Sequence, residues 1–341
     1  MAKITIQDVA QKAGVSVATI DRVLNHRPGV KVRTVEKVES AIRELNYQPD
    51  RIAARLARGR EYRFWFVLPN TAGEFMNRIS DEVEAAAKRM SGERVSIMVK
   101  RVDVFDGTLL ANVLDGLEDG IDGVAVVALD HPAVRESINT LVAKGVSVVT
   151  LVSDVPGSKR THYAGVDNSS AGRTAAGLMG RFLNGRKGKV GLFAGSLALR
   201  DHIERQFGFE QVMAHEFPNL TVLPVRESRD DTERSEELAK QILKEHPDLL
   251  GIYNVGGGTA GITSALEADG DPKHTIFIAH EVTEGSRRAL IRGSIDVIIN
   301  QDPGHEVRSA VRVLIARADN APVIEAQERI RIDIFMRDNL P

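Results

Sequence analysis

The 341-residue sequence predicts a multidomain α + α/β chain: a three-helix N-terminal head with helix-turn-helix spacing, then two doubly wound parallel α/β lobes. Three observations predict it. The length exceeds what one ordinary core organises and suits two or three domains. The first 60 residues carry twelve Lys/Arg against six Asp/Glu, a balance of +6 in a chain that totals −2, and their apolar residues recur at helical spacing. From Arg63 the pattern changes to short β-rich apolar runs alternating with amphipathic stretches, the signature of βαβ units around buried parallel strands.

Composition narrows the function. With 43% hydrophobic residues the chain can build real cores, yet no apolar run approaches the ~18 residues of a membrane span, so no membrane partner is expected. The start, MAKITIQDVAQKAG, lacks the apolar core of an export signal, and a cytoplasmic location is expected. Zero cysteines exclude disulfides, thiolate zinc sites, iron–sulfur clusters and cysteine nucleophiles. A basic head on an acidic body points to a polyanion partner for the head alone.

In the head, Thr5 is placed to cap a first helix, with Asp8 three residues on completing a capping box. Ile6, Val9, Ala10 and Ala13 mark its apolar face. Gly14 supplies the left-handed stop, Val15 packs the turn and Ser16 caps the second helix, whose face is Val17, Ile20, Val23 and Leu24. A loop from Asn25 to Arg33 is broken by Pro28-Gly29, and Thr34 is read as the cap of a third helix closed by Val35, Val38, Ile42 and Leu45. Two helices joined by a short glycine turn are a helix-turn-helix, which lays the start of its second helix in the major groove. Val17 and Ala18 suit a thymine methyl, and Arg22 can fork onto guanine O6 and N7. Thr5, Ser16, Thr19, Asn25, His26 and Arg27 are placed to hold phosphates. Beyond Tyr47-Gln48-Pro49-Asp50, the stretch from Arg51 to Gly59 is a helix too short to stand alone in water. Its three arginines around Leu56 match a minor-groove wedge.

The stretch ITIQDVAQKAGVSVATIDRVLNHRPGVKVRTVEKVESAIRELNYQPDRIAARLARGR resembles the DNA-binding head and hinge helix of the LacI/GalR family of bacterial repressors, without a gap over about sixty residues. AGVS at the turn, VLN closing the recognition helix and NYQP before the hinge carry the likeness. The resemblance implies base readout by Val17, Ala18 and Arg22 and a minor-groove wedge at Leu56 with Ala53 beside it. Asp21 departs from the small polar residue usual there; a carboxylate repels phosphate unless it turns to a neighbouring arginine.

In the body, strands are predicted at 64–68, 95–99, 123–128, 146–151, 189–194, 250–253, 275–279 and 295–299. Helices are predicted to begin near 75, 108, 132, 168, 202, 232, 258, 284 and 303. Ligands of such sheets sit beyond the strand carboxyl ends, so the candidate binding residues follow each run. They are Asn70, Phe75, Asp130, His131, Ser153, Asp154, Arg205, Asn254, Glu281 and Gln301, with Asp201 and His280 beside them. Acids, amides and an arginine near an aromatic ring suit a polyhydroxylated ligand.

This stretch resembles the periplasmic ribose-binding-protein fold (type I) found in the same family, through RxxGF at Arg205–Phe209, NQDP at 300–303 and GVDN at 165–168. The resemblance makes Arg205 and Gln301 the leading ligand contacts and Phe75 a stacking ring, although Val152-Ser153 stands where relatives often have Asp-Arg. It implies three crossovers between lobes, near 163–167, 293–301 and 320–325. The expected divisions are 1–48 for the head, 49–61 for hinge helix and linker, and 62–341 for the effector-binding and dimerisation part. Within that part the first lobe takes about 62–163 and 297–322, and the second about 164–296 and 323–341.

Enzymatic patterns fail. Gly256-Gly257-Gly258 lacks the P-loop Lys-Ser/Thr, Ser196 sits in AGSLA rather than a nucleophile elbow, and the nine histidines show no H-x-x-x-H pair. No cofactor or metal is called for. The chain is therefore expected to be a homodimeric repressor, not an enzyme. It would bind a pseudo-palindromic double-stranded operator and leave it when a sugar or sugar-like effector enters between the lobes. A corepressed regulator and a sugar-binding protein without DNA function are the second and third readings.

Overall fold

The structure, a computed structural model, describes residues 4–24, 28–47, 60–70 and 73–341. The chain divides into two compact units, one built from the first 61 residues with a short piece at 90–95, the other from the rest.

Three helices make the head: α1 (Ile6–Ala13), α2 (Val17–Leu24) and α3 (Val32–Glu44). The capping box at α1 is complete. Thr5 N–H donates to Asp8 Oδ2 at 2.7 Å and Asp8 N–H to Thr5 Oγ1 at 3.4 Å, which also holds the Asp8 carboxyl below its usual range. Gly14 ends α1 at φ 67°, a left-handed conformation that glycine adopts without penalty. Ser16 Oγ then accepts the Thr19 N–H at 3.2 Å, which starts α2. The third start differs from the prediction. Helix α3 begins at Val32 behind Lys31, with no side-chain cap, and Thr34 lies inside it. Val9, Ala10, Ile20, Val23, Val38 and Ala41 form the buried core, each large aliphatic contributing roughly 1.5–3 kcal/mol.

The body holds two sheets. In the first lobe β1 (Tyr62–Pro69), β2 (Val95–Val102), β3 (Gly123–Val126), β4 (Ser147–Leu151) and β5 (His162–Ala164) lie in the order β2-β1-β3-β4-β5. They alternate with α4 (Glu74–Met90), α5 (Gly107–Asp115) and α6 (Pro132–Ala143). In the second lobe β6 (Gly188–Ala194), β7 (Leu220–Val222), β8 (Arg226–Glu227), β9 (Leu249–Asn254), β10 (Ile276–His280), β11 (Val297–Asn300) and β12 (Asp333–Phe335) form a seven-stranded sheet. Its order is β12-β11-β10-β9-β6-β7, with β8 also on β6. Strand β12 runs antiparallel to β11. Its helices are α7 (Asn168–Leu183), α8 (Arg200–Glu216), α9 (Thr232–Glu245), α10 (Thr259–Asp269) and α11 (Glu284–Arg292). The strands read as continuous apolar runs because both faces are covered: Phe64, Phe66, Val67, Val124, Val126 and Val148 are fully buried, as are Leu192, Tyr253, Ile278 and Ile298.

The chain passes between the lobes three times. It leaves the first after β5, returns through α12 (Pro303–Ala318), which packs on β3, β4 and β5, and leaves again for β12 after the short α13 (Glu325–Glu328). Two expected boundaries move. Residues 297–300 are β11, paired with β10, so they belong to the second lobe rather than the first. Residues 323–328 stay with the first lobe, because Glu328 takes a two-pronged bond from Arg312 of α12 at 2.9 and 2.6 Å.

Helices α7 and α8 meet backbone to backbone. An ideal Cβ built on Gly172 would overlap the Arg205 carbonyl oxygen, and one on Gly208 the Ser169 carbonyl oxygen. This contact sets Asn168 beside Arg205. Gly177, on the same helix, has nothing within 4 Å of its Cβ position. Gly172→Ala is therefore expected to lower unfolding stability by about 1–3 kcal/mol. Gly177→Ala should raise it by about 0.5–1 kcal/mol. Denaturant titration of both variants checks the pair, and equal effects would remove the close approach.

Candidate functional site

Two surfaces gather the predicted residues. In the head, α2 turns Ile20 and Val23 inward and leaves its first turn outward: Val17 is 40% exposed, and Ala18 and Arg22 are exposed beside it. A β-branched aliphatic presented to solvent at the start of a recognition helix contributes nothing to the core and is free to meet a base edge. Ser16 Oγ and Thr19 Oγ1 lie 2.9 Å apart, and Thr5 is exposed at the start of α1. Arg22 Nη1 donates to the Pro28 carbonyl at 3.4 Å, so the guanidinium folds over the loop, where Gly29 at φ 96° leaves it room. Asn25, His26, Ala53 and Leu56 lie outside the described residues.

In the body, the strand carboxyl ends of both sheets converge on a buried polar cluster. Arg205, 2% exposed on α8, donates through Nε to Asn168 Oδ1 and through Nη1 to the Val255 carbonyl, both at 2.8 Å. Its Nη2 stands 3.9 Å from Glu281 Oε1, which accepts Gln301 Nε2 at 2.8 Å. Asn168 Nδ2 donates to the Tyr163 hydroxyl at 3.0 Å, which in turn donates to the Val152 carbonyl at 2.8 Å. The chain of bonds thus runs from the second lobe to the first. Arg205, Glu281 and Gln301 meet as the sequence predicted, and Ser153 is buried next to Val152 with its hydroxyl unpaired.

Two residues flanking this cluster hold left-handed backbone: Val152 at φ 64° and Glu281 at φ 69°. For a β-branched residue this is costly, on the order of 1–3 kcal/mol, and such strain gathers where ligands bind. Glu281 is pushed up to about 7 by burial, against the pull of Arg205 and the Gln301 hydrogen bond. Glu306, fully buried on α12, is driven well above the usual carboxylate range by burial and then by Glu281. Burial and then Arg205 hold His280 well below the imidazole range, and its Nε2 lies 2.8 Å from the Tyr253 hydroxyl.

Other predicted residues spend their polar atoms locally. Asp130 accepts Arg135 Nη2 at 2.7 Å, and His131 caps α6, its Nδ1 accepting the Ala133 N–H at 3.2 Å. Asp154 is clamped by Arg160, Thr150 and the Val155 N–H. The Asn254 amide donates to the Gly256 and Gly257 carbonyls and to Thr259 Oγ1. Asn70 is exposed and Phe75 half-buried at the start of α4. Sequence reasoning missed Asn168, Tyr163 and Glu306. Asn168 entered only as the last residue of the GVDN likeness and near a predicted helix start, and nothing in the sequence places α12 of one lobe against acids of the other.

Fold and site together define a two-lobed α/β body with a buried polar cluster at its strand ends, on a chain that also carries a helix-turn-helix head. The chain belongs to the periplasmic binding protein domain family, matched over residues 64–322, and its residues 5–50 match the model of the lacI family of bacterial regulatory proteins. It is 28% identical over 183 residues to catabolite control protein A of Streptococcus mutans, 52% of each chain. It is 36% identical over 104 residues to the lactose operon repressor of Escherichia coli, 30% of this chain and 29% of that one. The match thus spans about half the length of the first relative and under a third of the second. Among solved structures, a transporter solute-binding protein from Burkholderia graminis in complex with D-arabinose superposes with a TM-score of 0.72 at 25% identity. That match covers 82% of this chain and 96% of the other. No helix among the described residues is long and apolar enough to cross a membrane.

The raised Glu281 has a signed consequence. Unfolding returns it to the ordinary carboxylate range (4.5), so between there and about 7 the folded chain holds the extra proton and stability falls as pH rises. Glu281→Gln removes this contribution. The stability of the variant relative to the wild type is expected to rise between pH 4.5 and 7.5 by on the order of 3 kcal/mol. Parallel denaturation curves at both pH values check it; a constant difference would mean that folding does not raise Glu281.

Proposed function

We propose that the chain is a sequence-specific transcription regulator, a repressor that a sugar or sugar-like effector releases from DNA. One observation carries the reading: the lacI-family head turns Val17, Ala18 and Arg22 outward, and the same chain holds the Arg205–Glu281–Gln301 cluster at the strand ends of two α/β lobes. Neither half alone makes a regulator; a receptor needs a reader, and a reader needs a signal.

On this reading two copies pair so that two recognition helices meet a pseudo-palindromic operator in the cytoplasm, associated with the nucleoid through DNA binding. Thr5, Ser16, Thr19, Asn25 and His26 hold phosphates and set register, Val17, Ala18 and Arg22 read bases, and Leu56 with Ala53 enters the minor groove. The effector's hydroxyls take Arg205, Glu281, Gln301 and Ser153, with Asn70, Phe75, Asp130, His131, Asp154 and Asn254 around them. The neighbouring fold that holds D-arabinose in the Burkholderia protein supports a monosaccharide-sized ligand. Binding biases the relation of the two lobes and thereby the head. The coupling is reciprocal and typically about 1–3 kcal/mol. No turnover is expected of a site whose polar atoms hold rather than attack.

Fluorescence anisotropy on DNA from upstream of the protein's own gene, repeated with a panel of sugars, tests the reading. Tight binding released by one sugar supports it; tight binding strengthened by a sugar makes it a corepressed regulator; no binding by a folded dimer overturns it. In the same assay Arg22→Ala is expected to weaken specific binding by about 1–3 kcal/mol, and by less on non-specific DNA. Arg205→Ala is expected to keep the protein on DNA at sugar concentrations that release the wild type; calorimetry showing unchanged sugar affinity in that variant would remove Arg205 from the site.

A further inference from the structure

The cluster between the lobes holds an excess of acid that a neutral ligand leaves unanswered. Three carboxylates are buried there, those of Asp201 (5% exposed), Glu281 (9%) and Glu306 (0%). They share one guanidinium, that of Arg205, which feels Asp201 and Glu281 directly and Glu306 as well. Two of its nitrogens are already committed to Asn168 and the Val255 carbonyl.

The acceptors outnumber the donors. Asp201 Oδ1, Glu281 Oε2 and both oxygens of Glu306 have no hydrogen-bond partner, and Asp201 Oδ2 has only His202 Nε2 at 3.6 Å. Gln301, 2% exposed and bonded through its nitrogen to Glu281, leaves its own Oε1 unpartnered on the same cluster. Against these five acceptor atoms stand two unpaired donors, Arg205 Nη2 and the Ser153 hydroxyl, only the first of them charged. A buried polar atom without a partner costs about 1–3 kcal/mol, more when charged. A neutral polyol supplies hydroxyl donors but leaves three buried acids against one base. Without a ligand, protons taken up by Glu281 and Glu306 meet the imbalance. An ammonium brings three donors and offsets one of the two excess negative charges, so that one carboxyl proton then suffices in place of two.

We propose that the ligand of this cleft carries a protonated amine, as an amino sugar or amino-polyol does, and that its ammonium seats among Asp201, Glu281 and Glu306 with Gln301 Oε1 as a fourth acceptor. The proposal rests on the reading of this cluster as the effector site. It assigns Asp201 and Glu306, which lie on helices of different lobes, as the residues that select the charge.

Isothermal titration calorimetry on the full chain at pH 7.5 tests it. The probes are D-glucosamine, D-galactosamine, D-mannosamine and 1-amino-1-deoxy-D-sorbitol, each beside its hydroxyl parent and N-acetyl form. At least one amine is expected to bind tenfold or more tighter than both neutral counterparts. Glu306→Gln is expected to cut that advantage at least tenfold; Asp201→Asn serves where circular dichroism shows the first variant unfolded. A neutral parent that binds as tightly as its amine overturns the proposal, as does an advantage that survives both substitutions. If neutral sugars bind and Arg205→Ala abolishes that binding, the sugar-receptor reading stands and only the charge assignment falls. If no compound of either class binds, both fall.

Discussion

The guanidinium of Arg205 is the point on which the receptor half of the molecule is organised. A permanent charge removed from water has to be surrounded by acceptors in fixed positions, and each of those positions comes from a different part of the chain. The Asn168 amide reaches it because α7 and α8 touch at Gly172 and Gly208; the Val255 carbonyl reaches it from the end of β9; the Glu281 carboxylate reaches it from the end of β10. Take away the side chain and three loops lose their common reference. Take away the glycines and the side chain cannot reach its partners. The same few contacts hold Arg205 in place, with the strained backbone of Val152 and Glu281 beside it.

Electrostatics at this centre favours a conditional charge state over a fixed one. Glu281 is held near neutrality by burial, and Glu306 faces it from the other lobe, so the charge of one bears on the proton of the other. The Arg205–Asn168–Tyr163–Val152 bonds bridge the lobes through neutral and singly charged groups. On the proposed reading, a ligand at this cluster would bear on the charge, the strain and the bridge at once. This is a local event with the means to shift the balance between two arrangements of the lobes.

Much of the architecture was legible in the sequence because its signals are local. Thr5 with Asp8, Gly14 and Ser16 fix the first two helices through bonds spanning three or four residues. The body strands were legible because a parallel sheet covered on both faces needs unbroken apolar runs. Thr34 misled because a helix that needs no side-chain cap can start at Lys31. Strand ends led to Arg205, Glu281 and Gln301, but also to Asp130, His131, Asp154 and Asn254, whose polar atoms are engaged in their own loops. The two groups are chemically alike, since loop closure and ligand binding use the same side chains at the same places. Glu306 was invisible for another reason. Its neighbours lie across a lobe crossing, and no local pattern records that.

The threefold passage of the chain between lobes also orders events during synthesis. The core of the head is drawn from residues 6–47 alone. The first lobe does not close until α12, residues 303–318, covers β3 and β4, and the second waits for β12 at 333–335. A growing polypeptide therefore carries a finished head long before it has a receptor to govern it. Products cut short anywhere in between would hold the three head helices and lack a closed lobe.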